Sequence, residues 1–137
     1  MSDCIFCKLA RKELPAHAVW ESDTMLAFLD LFPIQPGHVL VIPKRHAPDV
    51  FQLDEPAYLD LMQTARRVAA AVNAAEKPAR MGLLVAGWDV PHAHVHVVPM
   101  RDVHDLTSKR LLEGNRAKAA DADLARIAAE IRAAFHS

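Results

Sequence analysis

The stretch Pro91-His92-Ala93-His94-Val95-His96-Val97-Val98-Pro99 decides how the rest of this chain is interpreted. Its alternation of histidine with small or β-branched apolar residues predicts a strand over residues 92–98, bounded by the two prolines. Successive side chains on a strand point to opposite faces, so His92, His94 and His96 are expected on one face, with neighbours roughly 7 Å apart. The apolar residues between them then face the other way and pack under a helix.

This histidine face predicts chemistry and not merely a solvated surface. A solvent-facing strand usually mixes Lys, Glu, Thr and Ser, and the chain has only eight histidines among its 137 residues. Imidazole titrates near neutral pH and serves as nucleophile, acid, base or metal ligand. Three imidazoles in a row can therefore grip one phosphate group or take part in a metal site. Binding of all three to one catalytic metal ion is an open alternative.

Four further strands and two helices are predicted around the histidine strand. From apolar runs bounded by turn residues, strands are expected at Ala18–Glu21, Met25–Leu29, 38–42 and 82–86. Apolar residues at helical spacing after the N-cap candidate Asp54 predict a helix over 54–75, and a second amphipathic helix is predicted over 122–135. The N-terminal part is expected to be loop and strands. This order indicates an α+β fold: a mainly antiparallel sheet of about five strands, one long helix between strands and a C-terminal helix.

Length and composition fit a single domain over residues 1–137. Hydrophobic residues make up 52% and charged residues 24%, as in globular proteins, which excludes wholesale disorder. A formal net charge of -1 argues against a general electrostatic grip on nucleic acid or on an anionic membrane. No apolar run approaches the roughly 20 residues of a membrane helix. Because no targeting segment is apparent, a reducing, cytoplasmic location is expected.

Three parts of the sequence resemble the histidine triad family. The His-x-His-x-His pattern followed by two apolar residues is similar to that family's signature, and residues 29–33 and 36–46 look like its N-terminal half. The opening Cys4-Ile5-Phe6-Cys7-Lys8 is similar to the Hint-like bacterial branch, whose members carry an N-terminal Cys-x-x-Cys. The matches span nearly the whole chain in the family's order, so their joint specificity is high.

The resemblance implies a nucleotidyl hydrolase or transferase that cleaves purine nucleoside phosphoramidates or related nucleotide conjugates. In that chemistry the middle histidine attacks the α-phosphorus, and water hydrolyses the resulting nucleotidyl-histidine. Carried onto this sequence, His94 is the nucleophile, while His96 and His38 support the phosphate site. No organic cofactor is implied. The family usually forms homodimers through its main helix and a strand.

The resemblance also supplies candidates for the nucleotide pocket. It places Asp30 on the ribose hydroxyls, where a carboxylate is a good hydrogen-bond acceptor. Leu29, Leu31 and Phe32 are candidates for the base pocket. Ordinary core packing explains Leu29 and Phe32 equally well.

Two departures from the family pattern bear on activity. Many active members carry an Asn on the strand before the triad, and residues 82–87 contain none. Asp89 stands where other members have polar groups that contact the phosphate, and an ionised carboxylate repels a phosphate. Asp89 therefore either acts as a protonated acid toward the leaving group or marks a different substrate or slow turnover, and we favour the second interpretation. Alternatives are a dinucleoside polyphosphate hydrolase, with Arg101 or Lys109 meeting the second nucleotide, and a nucleotide-binding protein with little turnover.

Cys4 and Cys7 have the spacing of half a zinc site. Zinc usually takes four protein ligands in a structural site, and the resemblance supplies His46 and His92 as the other two. We favour a structural zinc that pins the N-terminal loop to the sheet. Two reduced thiols without a metal are the alternative.

Overall fold

Five strands form one antiparallel sheet in the computed structural model, which describes residues 4–107 and 116–135. The strands are β1 (Ala18–Glu21), β2 (Met25–Leu29), β3 (Val39–Pro43), β4 (Arg80–Leu84) and β5 (Val95–Met100). Their spatial order is β1-β2-β3-β5-β4, and every neighbouring pair is antiparallel. The predicted sheet is confirmed.

The helices of the described part are α1 (Ile5–Ala10), α2 (Glu55–Glu76), α3 (His104–Thr107) and α4 (Asp121–Ala134), with a 3-10 turn at Val50–Gln52. The long helix α2 starts as predicted, because the Asp54 carboxylate accepts the backbone N–H of Ala57 at 3.0 Å. It ends at Glu76, where the C-cap Lys77 donates its N–H to the Asn73 carbonyl and then turns the chain away with a left-handed φ of 50°. None of these helices combines the length and the apolar character that a membrane crossing needs. The predicted α+β class is confirmed.

The sheet separates two apolar cores. Residues such as Ala27 and Val41 face α2 and α4 and belong to the larger core, which contains most of the buried apolar residues. The residues that alternate with these along β2 and β3 face the opposite side of the sheet and pack against α1. This smaller core comprises Phe6, Leu26, Phe28, Leu40 and Ile42. His96 lies opposite Leu40 in the β3–β5 ladder, so its side chain is on the α1 side of the sheet.

The histidine strand begins three residues later than predicted. β5 starts at Val95, whereas His92 and His94 lie in the turn before it. The backbone of that turn is fixed by other bonds: the Ala93 N–H donates to the Ala47 carbonyl at 2.8 Å. The positions of His92 and His94 therefore depend on this turn and not on strand alternation.

The far end of β5 also differs from the prediction, because Pro99 lies within the strand. Val97 is opposite Val39, the first residue of β3, so Pro99 lies beyond the β3–β5 ladder and breaks no bond of it. Strand β4 covers Arg80–Leu84, two residues earlier than the predicted 82–86.

Helix α1 was not predicted, since loop and strands were expected at the N terminus. Six residues are too few to show a repeated helical pattern of apolar residues, and the N-cap Cys4 makes no side-chain capping bond. Tertiary contacts hold the helix instead. The Phe6 ring meets Phe28 edge-on, with the ring centroids 5.6 Å apart.

Candidate active site

The loop between β2 and β3 brings Asp30 and His38 together. Asp30 follows β2 and His38 precedes β3, and the Asp30 N–H donates to the His38 carbonyl at 2.9 Å. Gly37 enters this closure with a φ of 97°, a conformation that glycine adopts without strain. The side chains meet as well, with Asp30 Oδ2 3.6 Å from His38 Nε2.

A chain of hydrogen bonds fixes the protonation of His38 and His96. The Ile34 N–H donates to His38 Nδ1 at 3.0 Å, so that nitrogen carries no proton. His38 then holds its proton on Nε2, which donates to His96 Nδ1 at 2.9 Å. His96 in turn carries its proton on Nε2. Both imidazoles are thereby set as neutral rings with defined tautomers.

His94 is oriented by a backbone carbonyl. Its Nδ1 lies 2.6 Å from the carbonyl oxygen of His92, an acceptor that requires the proton on Nδ1. In the neutral ring Nε2 then carries the lone pair. The His94 ring centroid is 5.1 Å from that of His96 and 5.2 Å from that of Phe6, whose ring meets it edge-on. A neutral imidazole held in this way is a competent nucleophile.

Burial keeps the two supporting histidines uncharged at neutral pH. Desolvation lowers the pKa of His96 to about 4, with smaller contributions from His94 and Arg116. Desolvation also places the pKa of His38 well below its usual value, and the nearby His96 and Arg116 act in the same direction. Both rings therefore stay neutral well below pH 7.

Asp30 is the acidic group nearest to His38, and it is largely buried. Its Oδ1 accepts the Phe32 N–H at 2.8 Å, and its Oδ2 lies 3.4 Å from the Arg116 guanidinium. Burial raises the pKa of Asp30, while the Phe32 amide and Arg116 partly oppose that rise. The carboxylate thus lies between a histidine and an arginine at one end of the site.

A cavity of about 500 Å³ opens over these groups. His94, His96, Asp30 and Arg116 lie on its wall, and the rest of the wall is mainly apolar. Helix α1 and the residues after it contribute Ile5, Phe6, Leu9, Leu14, Pro15, Ala16 and His17. A mainly apolar hollow with a few convergent polar groups is typical of small-molecule sites.

The expected pocket residues divide into two groups. Leu31 and Phe32 line the cavity with 42% and 44% of their surface exposed, and Asp89 also lines it. Leu29 borders the cavity but is only 2% exposed and belongs to the larger core. Packing therefore accounts for Leu29.

A second cluster lies beside the cavity, where Cys4, Cys7, His46 and His92 converge. His92 Nδ1 is 3.3 Å from Cys4 Sγ, 3.5 Å from Cys7 Sγ and 3.2 Å from His46 Nδ1. Cys7 Sγ is 3.3 Å from His46 Nδ1. The chain therefore places all four donor atoms within 4.8 Å of one another.

These four residues fit a tetrahedral zinc ion by chemistry and by spacing. Zinc bonds of about 2.3 Å to sulfur and about 2.0 Å to nitrogen put tetrahedral ligand atoms roughly 3.3–3.8 Å apart. His92 Nε2 lies 2.8 Å from the Pro43 carbonyl, which holds the proton on Nε2 and leaves Nδ1 free to bind a metal. Burial lowers the pKa of His92, which favours the neutral imidazole that a metal needs.

A family model of the HIT domain matches residues 11–103. The chain belongs to the histidine triad family. Adenosine 5′-monophosphoramidase of Schizosaccharomyces pombe is 34% identical over 101 residues, which cover 70% of this chain and 73% of that enzyme. The resemblance of the N-terminal half and of the histidine stretch thus identified the family correctly.

Solved structures of the histidine triad family share the fold. A HIT-like protein of Bartonella henselae superposes with a TM-score of 0.86 at 28% identity, covering 98% of this chain and 97% of that one. A zinc-bound histidine triad protein of Mycobacterium smegmatis superposes with a TM-score of 0.79 at 25% identity, covering 98% of this chain and 94% of that one.

The three triad histidines do not converge on one metal position in the described part of the chain. His92 turns its Nδ1 toward the cysteines, whereas His94 and His96 face the cavity. Asp30, His38 and His96 also offer donor atoms within 4.8 Å of one another, but the His38 and His96 nitrogens are joined by their own hydrogen bond. The geometry therefore separates a metal cluster from a histidine pair at the cavity.

Two residues at the triad site escaped the sequence analysis. Phe6 stands between the cysteines of the Cys-x-x-Cys pattern, and no local signal marks it as a cavity residue. Arg116 reaches Asp30 across 86 residues of chain, a distance that no short motif bridges. Arg101, expected near a second nucleotide, donates to the Glu76 carbonyl at 2.6 Å and does not line the cavity. Lys109 lies outside the described residues.

Proposed function

We propose that this chain hydrolyses purine nucleoside phosphoramidates or related nucleotide conjugates at the α-phosphate, through a covalent nucleotidyl-His94. The observation that carries the proposal is the bond from His94 Nδ1–H to the His92 carbonyl, which leaves Nε2 unprotonated on a ring that lines the cavity. The phosphoramidase activity named for the Schizosaccharomyces pombe relative supports the same class of reaction.

In the first step His94 Nε2 donates its lone pair to the α-phosphorus, and the bond from phosphorus to the leaving nitrogen breaks. The leaving amine takes up a proton from solvent water as it departs, and the proton released in the second step returns to solvent. The His92 carbonyl stabilises the positive charge that develops on the His94 ring. His96 carries its remaining proton on Nε2 and can donate it in a hydrogen bond to a phosphoryl oxygen.

In the second step a water molecule attacks the phosphorus. The bond between phosphorus and His94 Nε2 breaks, the electron pair returns to the ring, and a nucleoside monophosphate and a proton leave. His38 acts indirectly, because its bond to His96 Nδ1 keeps the His96 proton on Nε2. His38 is therefore a positioning residue in this scheme.

We assign Asp30 to the ribose hydroxyls and Leu31, with Phe32, to the base. Each Asp30 oxygen accepts one hydrogen bond among the described residues, and a carboxylate has about four acceptor sites, so two hydroxyls can be accommodated. Leu31 and Phe32 present exposed apolar surface to the cavity, as an aromatic base requires.

Asp89 supports an amine as the leaving group. Its carboxylate lies on the cavity wall, where it attracts a cationic amine and repels a second phosphate. This charge makes a dinucleoside polyphosphate the poorer substrate. The same carboxylate can lower the rate overall, so a nucleotide-binding protein with little turnover remains an outcome of the test.

The test uses adenosine 5′-phosphoramidate and a dinucleoside polyphosphate with three proteins: wild type, His94→Ala and His104→Ala. The exposed His104 provides the matched control. We expect wild type and the control to release AMP and to show an adenylylated intermediate on rapid quenching, with faster release from the phosphoramidate. Persistent turnover by His94→Ala would reject the nucleophile. AMP binding without turnover of either compound would establish the binding-protein alternative.

We further propose that Cys4, Cys7, His46 and His92 hold a structural zinc ion. The ion would tie α1 and the turn before β5 together, because two ligands come from α1 or its N-cap and one from that turn. We also propose a reducing, cytoplasmic location, in which Cys4 and Cys7 stay available as zinc ligands.

We also propose that the protein is a homodimer that joins two sheets. Strand β4 lies at one edge of the sheet, where backbone groups are open to pairing, and its Leu83 is 45% exposed. Tyr58 and Met62 on α2 are only partly buried and are candidates for the helical part of the interface. Light scattering after size exclusion should give twice the chain mass, and Leu83→Lys should shift the protein to monomer. A monomeric wild type at micromolar concentration would contradict this proposal.

A further inference from the structure

Arg116 is a charged residue that the proposed reaction leaves without a role. Its side chain is only 12% exposed, yet it lies on the wall of the cavity with His94 and His96. Its NH1 is 3.4 Å from Asp30 Oδ2, and its Nε has no hydrogen-bond partner in the part of the chain that the structure describes. A buried guanidinium is costly to keep, so a specific purpose is expected.

Arg116 is placed at the cavity by a backbone contact between the segment before α4 and the loop that follows Asp30. The Ala119 N–H donates to the Leu31 carbonyl at 2.8 Å, which fixes the segment before α4 against that loop. Arg116 and Asp30 are therefore held by neighbouring stretches of backbone that are bonded to each other. This arrangement makes the contact a feature of the fold and not of a loose surface side chain.

Arg116 affects the protonation of Asp30. Burial raises the pKa of Asp30, so without a cation the carboxyl group would tend toward its protonated form. Arg116 opposes that rise and also lowers the pKa values of His38 and His96. An ionised Asp30 accepts hydrogen bonds from hydroxyls at both oxygens, whereas a protonated one loses part of that capacity.

We propose that Arg116 is a positioning residue for nucleotide recognition: it holds Asp30 Oδ2 as an acceptor for a ribose hydroxyl, so that the site selects ribonucleotides over deoxyribonucleotides. This inference rests on the proposed nucleotide site and on the assignment of Asp30 to the ribose. Direct contact of Arg116 with the phosphate is the competing role. Asp30 is favoured as its target because the one hydrogen bond that Arg116 makes among the described residues goes to that carboxylate.

The two roles predict different substrate dependence. Arg116→Met removes the charge at similar length, and Arg116→Lys keeps it. Adenosine 5′-phosphoramidate and its 2′-deoxy and 3′-deoxy analogues report on the ribose contact. We expect Arg116→Met to raise KM for the ribonucleotide by about tenfold, with kcat changed much less, and to leave KM for at least one deoxy analogue nearly unchanged. Arg116→Lys should recover part of the loss, and the exposed Arg66→Met should change nothing.

An equal loss for the ribonucleotide and both deoxy analogues would overturn the proposal in favour of phosphate contact or a general structural defect. Thermal unfolding of each variant identifies the structural defect. A double variant, Asp30→Asn with Arg116→Met, should discriminate no worse than Asp30→Asn alone, and additive losses would contradict a role through Asp30. If wild type turns over no phosphoramidate, calorimetry with AMP and its deoxy analogues still tests ribose selection, so failure of the reaction and failure of this inference remain distinct.

Discussion

The His92 carbonyl accepts the Nδ1–H of His94 at 2.6 Å, while the His92 ring lies in the Cys4, Cys7 and His46 cluster. One residue therefore belongs to both sites: its side chain to the candidate metal centre and its backbone to the candidate nucleophile. A shift of the His92 backbone on loss of the ring contacts would move the acceptor that orients His94. His92 therefore links the metal cluster to the candidate nucleophile His94.

Removal of both thiols tests that coupling. Cys4→Ser with Cys7→Ser should bind no zinc, lower the melting temperature by about 10 °C and reduce kcat, because the turn that carries His92 loses its anchor. Metal analysis, thermal unfolding and AMP release measure the three effects. Wild type stripped by a chelator is the control and should behave in the same way. Full metal content in the double variant would show that the metal lies elsewhere.

The sequence predicted the elements that carry local signals. β1 and β2 were placed to the residue by alternation and flanking turns, and α2 to within one residue by the Asp54 cap and its apolar spacing. α1 has neither signal, because its packing depends on Phe6 and on the cysteine–histidine cluster. The predicted start of β5 was wrong because the Ala93 N–H donates to the Ala47 carbonyl and not to a neighbouring strand.

The candidate site was predictable where the family pattern marks it and not where the fold alone assembles it. His38, His94 and His96 meet as the pattern implies, and the four metal candidates converge from separate parts of the chain. The bond from Ile34 to His38, which sets the tautomers, involves a backbone amide that carries no residue signal. Arg116 contacts Asp30 from 86 residues further along the chain, a separation that no local sequence pattern spans.

Substitution of His38 should slow the reaction without removing the nucleophile. His38→Gln keeps a side-chain N–H that can donate to His96, whereas His38→Ala removes it and leaves a cavity in a fully buried position. We expect kcat to fall by about 10–100-fold for alanine and by less for glutamine. Equal rates for the two variants, with both folded by circular dichroism, would argue against the role of this hydrogen bond.

The protein should become less stable as the pH decreases, because the His96 ring is buried in its neutral form. Its pKa is about 4 in the folded chain against an unperturbed value of about 6.5, so the unfolded state binds more protons between those limits. The contribution of His96 to the free energy of unfolding is therefore fully present above about pH 6.5. It declines as the pH falls toward 4, with a slope of up to about 1.4 kcal/mol per pH unit.

Urea unfolding at several pH values from 7.5 to about 4.5 measures that slope. His96→Gln cannot titrate, so its unfolding free energy should depend less steeply on pH than that of wild type. The exposed His104→Gln should keep the wild-type slope. The same slope in His96→Gln and wild type would contradict the assignment of this pH dependence to His96.

Phe6 should connect the metal cluster to the cavity, since its ring meets His94 with a centroid distance of 5.2 Å and His92 with one of 5.8 Å. Phe6→Ala empties a buried aromatic position and should cost about 3–5 kcal/mol of stability. It should also reduce kcat, because the His94 ring loses the packing contact that restricts its orientation. Phe6→Leu retains most of the volume and should be milder in both respects. Urea unfolding and AMP release on zinc-loaded protein separate the two effects, and a Phe6→Ala variant with unchanged kcat would show that the His92 carbonyl alone suffices to orient His94.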